Sequence, residues 1–166
     1  DIKFCEGLGC AGIVSGALTA ENAVDRETTS ALIAASGALE FTFHRAFDWC
    51  PDPLDALEKL KSIQVTRLLT SGQETTAEDG IPLLIELKEL AKSQLQIMPG
   101  GGISIENCMH FKNAGFNMVH LSATKKTQSL STIPRVSMHA PKLFEEGIIA
   151  TSDASIISAV VKKLKR

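Results

Sequence analysis

The 166-residue chain has no apolar run that approaches the ~20 residues of a membrane-spanning helix, and no segment patterned as a signal peptide. It has no C-x-x-C pair. Its four cysteines, Cys5, Cys10, Cys50 and Cys108, are scattered. That spacing excludes a tight disulfide framework and points to reduced thiols in a cytoplasmic setting. It has no charge excess, since the formal net charge is -2 with acids and bases spread along the chain. Nothing in that balance would attract nucleic acid or a membrane surface. The one basic run, Lys162-Lys163-Leu164-Lys165-Arg166, suits the solvated last turn of a helix, where cations favour the dipole. The chain also lacks a starting Met and opens at Asp1 as though cut into.

Hydrophobic residues make up 44% of the chain, enough for a core, and the length fits a single domain over 1–166. The informative stretch is Phe41-Thr42-Phe43-His44-Arg45-Ala46-Phe47-Asp48. It begins as the apolar alternation of a strand and ends in three titratable groups. In parallel α/β proteins the carboxyl ends of the strands are where ligands sit.

Four further short strands surround it, near 12–18, 66–72, 96–103 and 117–123. Asp25 is placed to cap a helix over 26–36 that Gly37 ends, and Asp52-Pro53 opens another. A helix from about Pro82 to Lys92, a short one after Ser104 and a last one after Thr151-Ser152-Asp153 complete the pattern. Residues 1–9 read as the end of a helix, and 124–140 as one long polar loop. Strand ends fall near Gly16, Arg45, Gly72, Gly101 and Ser122, at intervals of 29, 27, 29 and 21 residues. That is a βα unit used five times, with parallel strands and right-handed crossovers. An open doubly wound sheet and part of an eight-unit barrel both fit. The absence of G-x-G-x-x-G after the first strand weakens a dinucleotide-binding reading.

Phe43-His44-Arg45-Ala46-Phe47-Asp48, Leu69-Thr70-Ser71-Gly72, Met98-Pro99-Gly100-Gly101-Gly102-Ile103 and His120-x-Ser122-Ala123 closely resemble, in order and spacing, the CutC copper-homeostasis family. Leu18-Thr19 and Asp52-Pro53 are similar as well. The resemblance implies an α/β fold of the (β/α)₈ TIM-barrel type. It implies a cytoplasmic homo-oligomer, associated with copper tolerance and binding Cu(I), with no assigned enzyme reaction. Such a barrel takes eight units and about 250 residues. This chain has five, corresponding to strands four to eight, so the expectation is an incomplete barrel. The family's first three strands, with a first-strand cysteine region that looks metal-related, have no counterpart here.

Three groups of residues carry candidate chemistry. His44 would be an acid–base group or a metal ligand, Arg45 an anion clamp and Asp48 their orienting partner. The same three would equally brace a strand end as a buried charge network. While the strand lasts, His44 and Arg45 face opposite ways. Gly100, Gly101 and Gly102 would let backbone N–H groups approach an anion. On the family alignment they follow strand seven, with Ser122 and Ala123 on the strand-eight side of the same pocket. A tight turn needing glycine dihedrals accounts for them equally. For copper, the soft candidates are Cys50, just beyond Asp48, and the adjacent pair Met138-His139. Cys50 also reads as a small buried apolar residue. His120 reads as a core histidine and His110 as a surface one. The functional expectation is a copper homeostasis protein with a copper ion as its partner. The alternative is a barrel lyase or isomerase acting on a small phosphorylated or carboxylated substrate. A five-unit sheet leaves long edges and an uncovered interior. We therefore expect the isolated chain to be of low stability. A thermal melt followed by circular dichroism checks this, and cooperative unfolding of a monomer at ordinary mesophile temperatures would contradict it.

Overall fold

β1 (Gly12–Ser15), β2 (Glu40–Phe43), β3 (Arg67–Thr70) and β4 (Gln96–Pro99) are short and rich in branched or aromatic residues, and they pair in parallel in the order β1-β2-β3-β4. The computed structural model describes residues 1–136 and 146–165 of the chain. Phe43 stands opposite Leu68, and Leu68 opposite Ile97, so one face of the sheet is set by register. Strand order follows sequence order without a reversal. With right-handed crossovers, every connecting helix then lies on the same face. A doubly wound sheet needs a reversal to cover both faces. The winding is therefore that of a barrel, and the sheet is an incomplete one.

Burial agrees with that winding. Phe41, Phe43, Leu68 and Ile97 project to the helical face and are buried there. Ala56, Leu57 and Leu60 of α3 (Pro53–Ser62), and Leu84, Leu87 and Ala91 of α4 (Ile81–Ala91), are buried among the helices. α1 (Ile2–Gly7), α2 (Arg26–Ser36) and α5 (Cys108–Asn113) complete this unit. The opposite face is the inside of a barrel that does not close here. Val14 on it is 62% exposed. The Arg67 guanidinium crosses this face as a polar layer, pairing with Glu40 at 2.8 Å and donating to Thr42 Oγ1 at 3.2 Å and Gln96 Oε1 at 3.4 Å. Among the described residues β1 has no strand on its outer edge.

The helix starts follow from their caps. Asp25 accepts from Thr28 N (2.9 Å), and Asp52 from Leu54 N and Asp55 N (3.0 Å each), so each supplies acceptors for otherwise unpaired first-turn N–H groups. Pro53 occupies the first helical position, where a missing N–H costs nothing. The α5 region differs from expectation. Ser104 holds a turn instead, accepting from Glu106 N at 3.2 Å, and the helix begins four residues later at Cys108. The fifth strand is also reduced. Residues 117–123 contribute one parallel bridge, His120 beside Gly100.

Two compact units divide the chain, Asp1–Leu121 and Ser122–Arg166. In the second, β5 (Thr124–Gln128) and β6 (Ile148–Ser152) form an antiparallel pair. Part of the expected 124–140 loop is therefore a strand. All five β5 side chains are exposed, so no alternation marked it in sequence. α6 (Ala154–Leu164) follows, capped by Asp153, which accepts from Ser155 N at 2.7 Å and Ile156 N at 3.3 Å. The Ser155 hydroxyl and these backbone N–H groups push the Asp153 carboxyl down to about 2.

Phe43 is among the largest buried side chains of the first unit. Its ring is fully buried and lies where a Cβ on Gly16 would come within 2.5 Å of it. Phe43→Ala should destabilise the chain by about 3–5 kcal/mol, read as the shift in a urea unfolding midpoint.

Candidate functional site

β2 ends at Phe43, and this decides how the three charged candidates are presented. His44 already caps a 3₁₀ turn, Arg45–Trp49, so strand alternation no longer separates it from Arg45. The turn brings Asp48 back over the end of β3. Its side chain is 7% exposed and accepts from Arg45 Nε at 2.7 Å. It also takes Ser71 N at 3.1 Å and the Ser71 hydroxyl at 3.0 Å, together with a short hydrogen bond from Thr70 Oγ1. One carboxylate thus joins the ends of two neighbouring strands. Donors of this number and kind satisfy a buried carboxylate's lone pairs.

Arg45 is held by that arrangement. Nε is spent on Asp48, and Nη2 donates to Ser71 Oγ at 2.8 Å. Ser71 Oγ lies in turn 2.6 Å from the Glu74 carbonyl. Nη1 has no acceptor among the described residues, and the side chain is 43% exposed. His44 is held too. Its Nδ1 accepts the Ala46 backbone N–H at 3.3 Å. A backbone amide can only donate, so the neutral ring keeps its proton on Nε2 and presents a donor there. The ring meets Phe43 edge-on at 5.6 Å. Leu18, His44, Arg45, Ala46, Trp49 and Leu69 line a cleft of about 700 Å³.

The glycine turn packs against the same guanidinium. A Cβ on Gly101 would stand 3.1 Å from Arg45 Nη1 and 3.2 Å from Ser71 Cβ, and Gly101 has a φ of +130°. The dihedral therefore favours glycine, and a side chain there would crowd its neighbours. The Gly100 N–H is committed to the Thr70 carbonyl at 2.9 Å, whereas the Gly102 N–H meets no acceptor among the described residues. Ser122 and Ala123 open the second unit. There their carbonyls accept from Ser152 Oγ and Asp153 N, each at 2.9 Å.

The soft donors are dispersed. Cys50 is 4% exposed, and burial pushes its thiol up to about 11. Met138 and His139 lie outside the described residues. His120 is exposed rather than a core residue, because its strand is a single bridge. His110 is exposed and pairs with Glu78 at 2.7 Å. Among the described residues no three His, Cys, Asp or Glu side chains are grouped to hold a metal.

Sequence reasoning passed over Thr70, Ser71 and Gln73 as site residues. Gln73 adopts a φ of +60°, and its side-chain amide donates to the carbonyls of Cys50 (2.6 Å) and Phe47 (3.2 Å). These bonds fasten the β3 loop to the 3₁₀ turn. The available signal was the polar run Thr70-Ser71-Gly72-Gln73 directly after an apolar strand.

The fold and this cluster define a barrel-type α/β protein with a polar constellation at the carboxyl ends of its strands. The CutC family model matches residues 1–125. A CutC family protein of Glaesserella parasuis is 37% identical over 98% of this chain and 67% of its own length. One from Pasteurella multocida is 42% identical over 81% of this chain and 54% of its own. The crystal structure of a CutC protein from Streptococcus agalactiae, whose name assigns it provisionally to copper homeostasis, superposes with a TM-score of 0.67. It shares 30% identity and covers 72% of this chain and 59% of its own. The chain belongs to the CutC family. It spans between about half and two thirds of the length of the curated relatives it matches.

The raised Cys50 pKa makes a pH prediction. The folded state favours the protonated thiol, with a pKa of about 11 against an ordinary 9.0. That stabilisation is complete below the unfolded value and is lost as pH rises through the folded one. Between pH 9 and 11 the native chain should therefore lose roughly 2–3 kcal/mol relative to Cys50→Ala, whose profile lacks this component. Paired urea titrations across that range measure the difference.

Proposed function

We propose that this chain acts in copper homeostasis, taking up Cu(I) as cargo in the cytoplasm and working as a homo-oligomer. The observation that carries the reading is the match to CutC relatives along nearly the whole chain, joined to the likeness to the Streptococcus agalactiae structure. Four cysteines outside any disulfide fit a reducing compartment.

The donor chemistry narrows how Cu(I) would be held. Cu(I) selects thiolate and thioether, and imidazole also serves copper. Cys50 would have to give up a proton that its burial retains, at a cost of roughly 2–3 kcal/mol against an exposed thiol. Thioether and imidazole donors bear no such cost. Met138 and His139 supply one such pair. Met98, opposite Leu69 on the open face, and His120, beside Gly100, supply another.

An anaerobic Cu(I) titration against a competing chelator tests the reading, with mass measured in parallel. We expect one ion retained per chain, still retained in Cys50→Ser and lost in one of the two double variants, Met138→Leu/His139→Ala or Met98→Leu/His120→Ala. No retained copper would overturn Cu(I) binding by this chain.

A further inference from the structure

We propose that the cleft between the end of β2 and Trp49 binds a small organic anion, a carboxylate or phosphate carried on an apolar body. The inference is independent of the copper reading, because no thiol, thioether or carboxylate lines this cleft.

The polar side of the argument is one of sign. Three of the six lining residues, His44, Arg45 and Trp49, have hydrogen-bonding side chains, and all three present donors, the indole through Nε1–H. His44 has its Nδ1 lone pair taken by the Ala46 N–H, which leaves Nε2–H as the free group. Arg45 has Nε and Nη2 taken by Asp48 and Ser71, which leaves Nη1. A cation would find no acceptor among these side chains. A neutral polar ligand would satisfy the donors but draw nothing from the guanidinium charge. An anion uses both.

The donors are also held in place before any ligand arrives. Asp48 and Ser71 fix the guanidinium plane, and Gly101 packs against Nη1 where a Cβ would stand at 3.1 Å. Binding would therefore cost little ordering of the Arg45 side chain. The Asp48 carboxylate is turned to the ends of β2 and β3 and satisfied there, so its charge orients Arg45 without contributing an acceptor to the cleft wall.

The apolar side of the argument is the remaining wall. Leu18, Ala46 and Leu69 form it together with the ring of Trp49, which is 73% exposed. The exposed indole shares the cleft wall with the cationic group. It offers a face on which a flat apolar body can lie while its anionic end reaches Nη1 and Nε2–H. Inorganic phosphate would use the donors and leave this wall unsatisfied. The volume, about 700 Å³, suits a ligand larger than a single oxyanion.

Trp49 is the sole tryptophan and there is no tyrosine, so intrinsic fluorescence reports on this cleft alone. The probes are benzoate and phenyl phosphate, with benzyl alcohol as the neutral control and inorganic phosphate as the anion without a body. We expect saturable changes in Trp49 emission at about millimolar benzoate or phenyl phosphate, and at least about tenfold weaker responses to the two controls. Arg45 belongs to the Asp48 brace, so its removal would confuse binding with folding. Leu18→Asp and Leu18→Asn avoid this, since Leu18 makes no bond in that brace. Leu18→Asp sets a carboxylate against the anion and should weaken binding by about tenfold or more relative to Leu18→Asn. Circular dichroism on both variants checks that they fold alike. Equal responses to benzoate and benzyl alcohol would overturn the proposal, as would inorganic phosphate binding as tightly as phenyl phosphate. Equal affinities in the two Leu18 variants, or no saturable response to either anionic probe, would overturn it too.

Discussion

The carboxylate of Asp48 is the interaction on which the rest of the site depends. It is almost fully buried, so its free energy hinges on finding donors. It finds them on two elements: the Arg45 guanidinium in its own turn, and the Thr70 hydroxyl and Ser71 amide and hydroxyl at the end of β3. Register between β2 and β3 is already set by pairing Phe43 with Leu68. Asp48 extends that alignment beyond the last ladder bond, into segments that have no sheet to hold them. Removing one partner of such a group leaves a buried charge or donor without compensation, which is costlier than never having placed it there.

From that brace the consequences run outward. Arg45 cannot swing, so its remaining N–H groups point where the network leaves them. Gly101 approaches that guanidinium closely because it carries no Cβ, which would stand 3.1 Å from Nη1. Gln73 accepts a left-handed backbone because its amide has two carbonyls to bond, those of Phe47 and Cys50. Cys50 is drawn into the same packed corner. There its thiol is kept protonated by burial, although Lys59 works in the opposite direction. A sulfur that the sequence offered as a soft copper donor thus sits in surroundings that suppress its thiolate.

Bracing and binding are therefore not competing accounts of His44, Arg45 and Asp48. Asp48 braces and directs. His44 and Arg45 are braced, and each keeps a donor to spare. Roles divide within one motif because a buried acceptor is fully used by its own neighbours, whereas a guanidinium has more N–H groups than any single carboxylate can take.

Much of this was legible in sequence, for reasons that can be named. The parallel βα winding followed from the repeat of strand ends at Gly16, Arg45, Gly72 and Gly101, and the caps Asp25 and Asp52 from their side-chain acceptors ahead of helical spacing. Those are local properties, decided within a few residues. The choice between barrel and doubly wound sheet was not local. It needed the strand order, which showed no reversal. β5 carries no alternation because all its side chains face water, so only its partner β6 reveals it. The division of labour among His44, Arg45 and Asp48 likewise waited on tertiary structure. Sequence determined that a His, an Arg and an Asp would emerge together from an apolar strand. The place where β2 ends, and the donors that β3 sets beside it, decided which charge would be consumed inside and which would be left facing the cleft. A hydrogen-bond partner twenty or more residues away has no signature in the spacing of the chain.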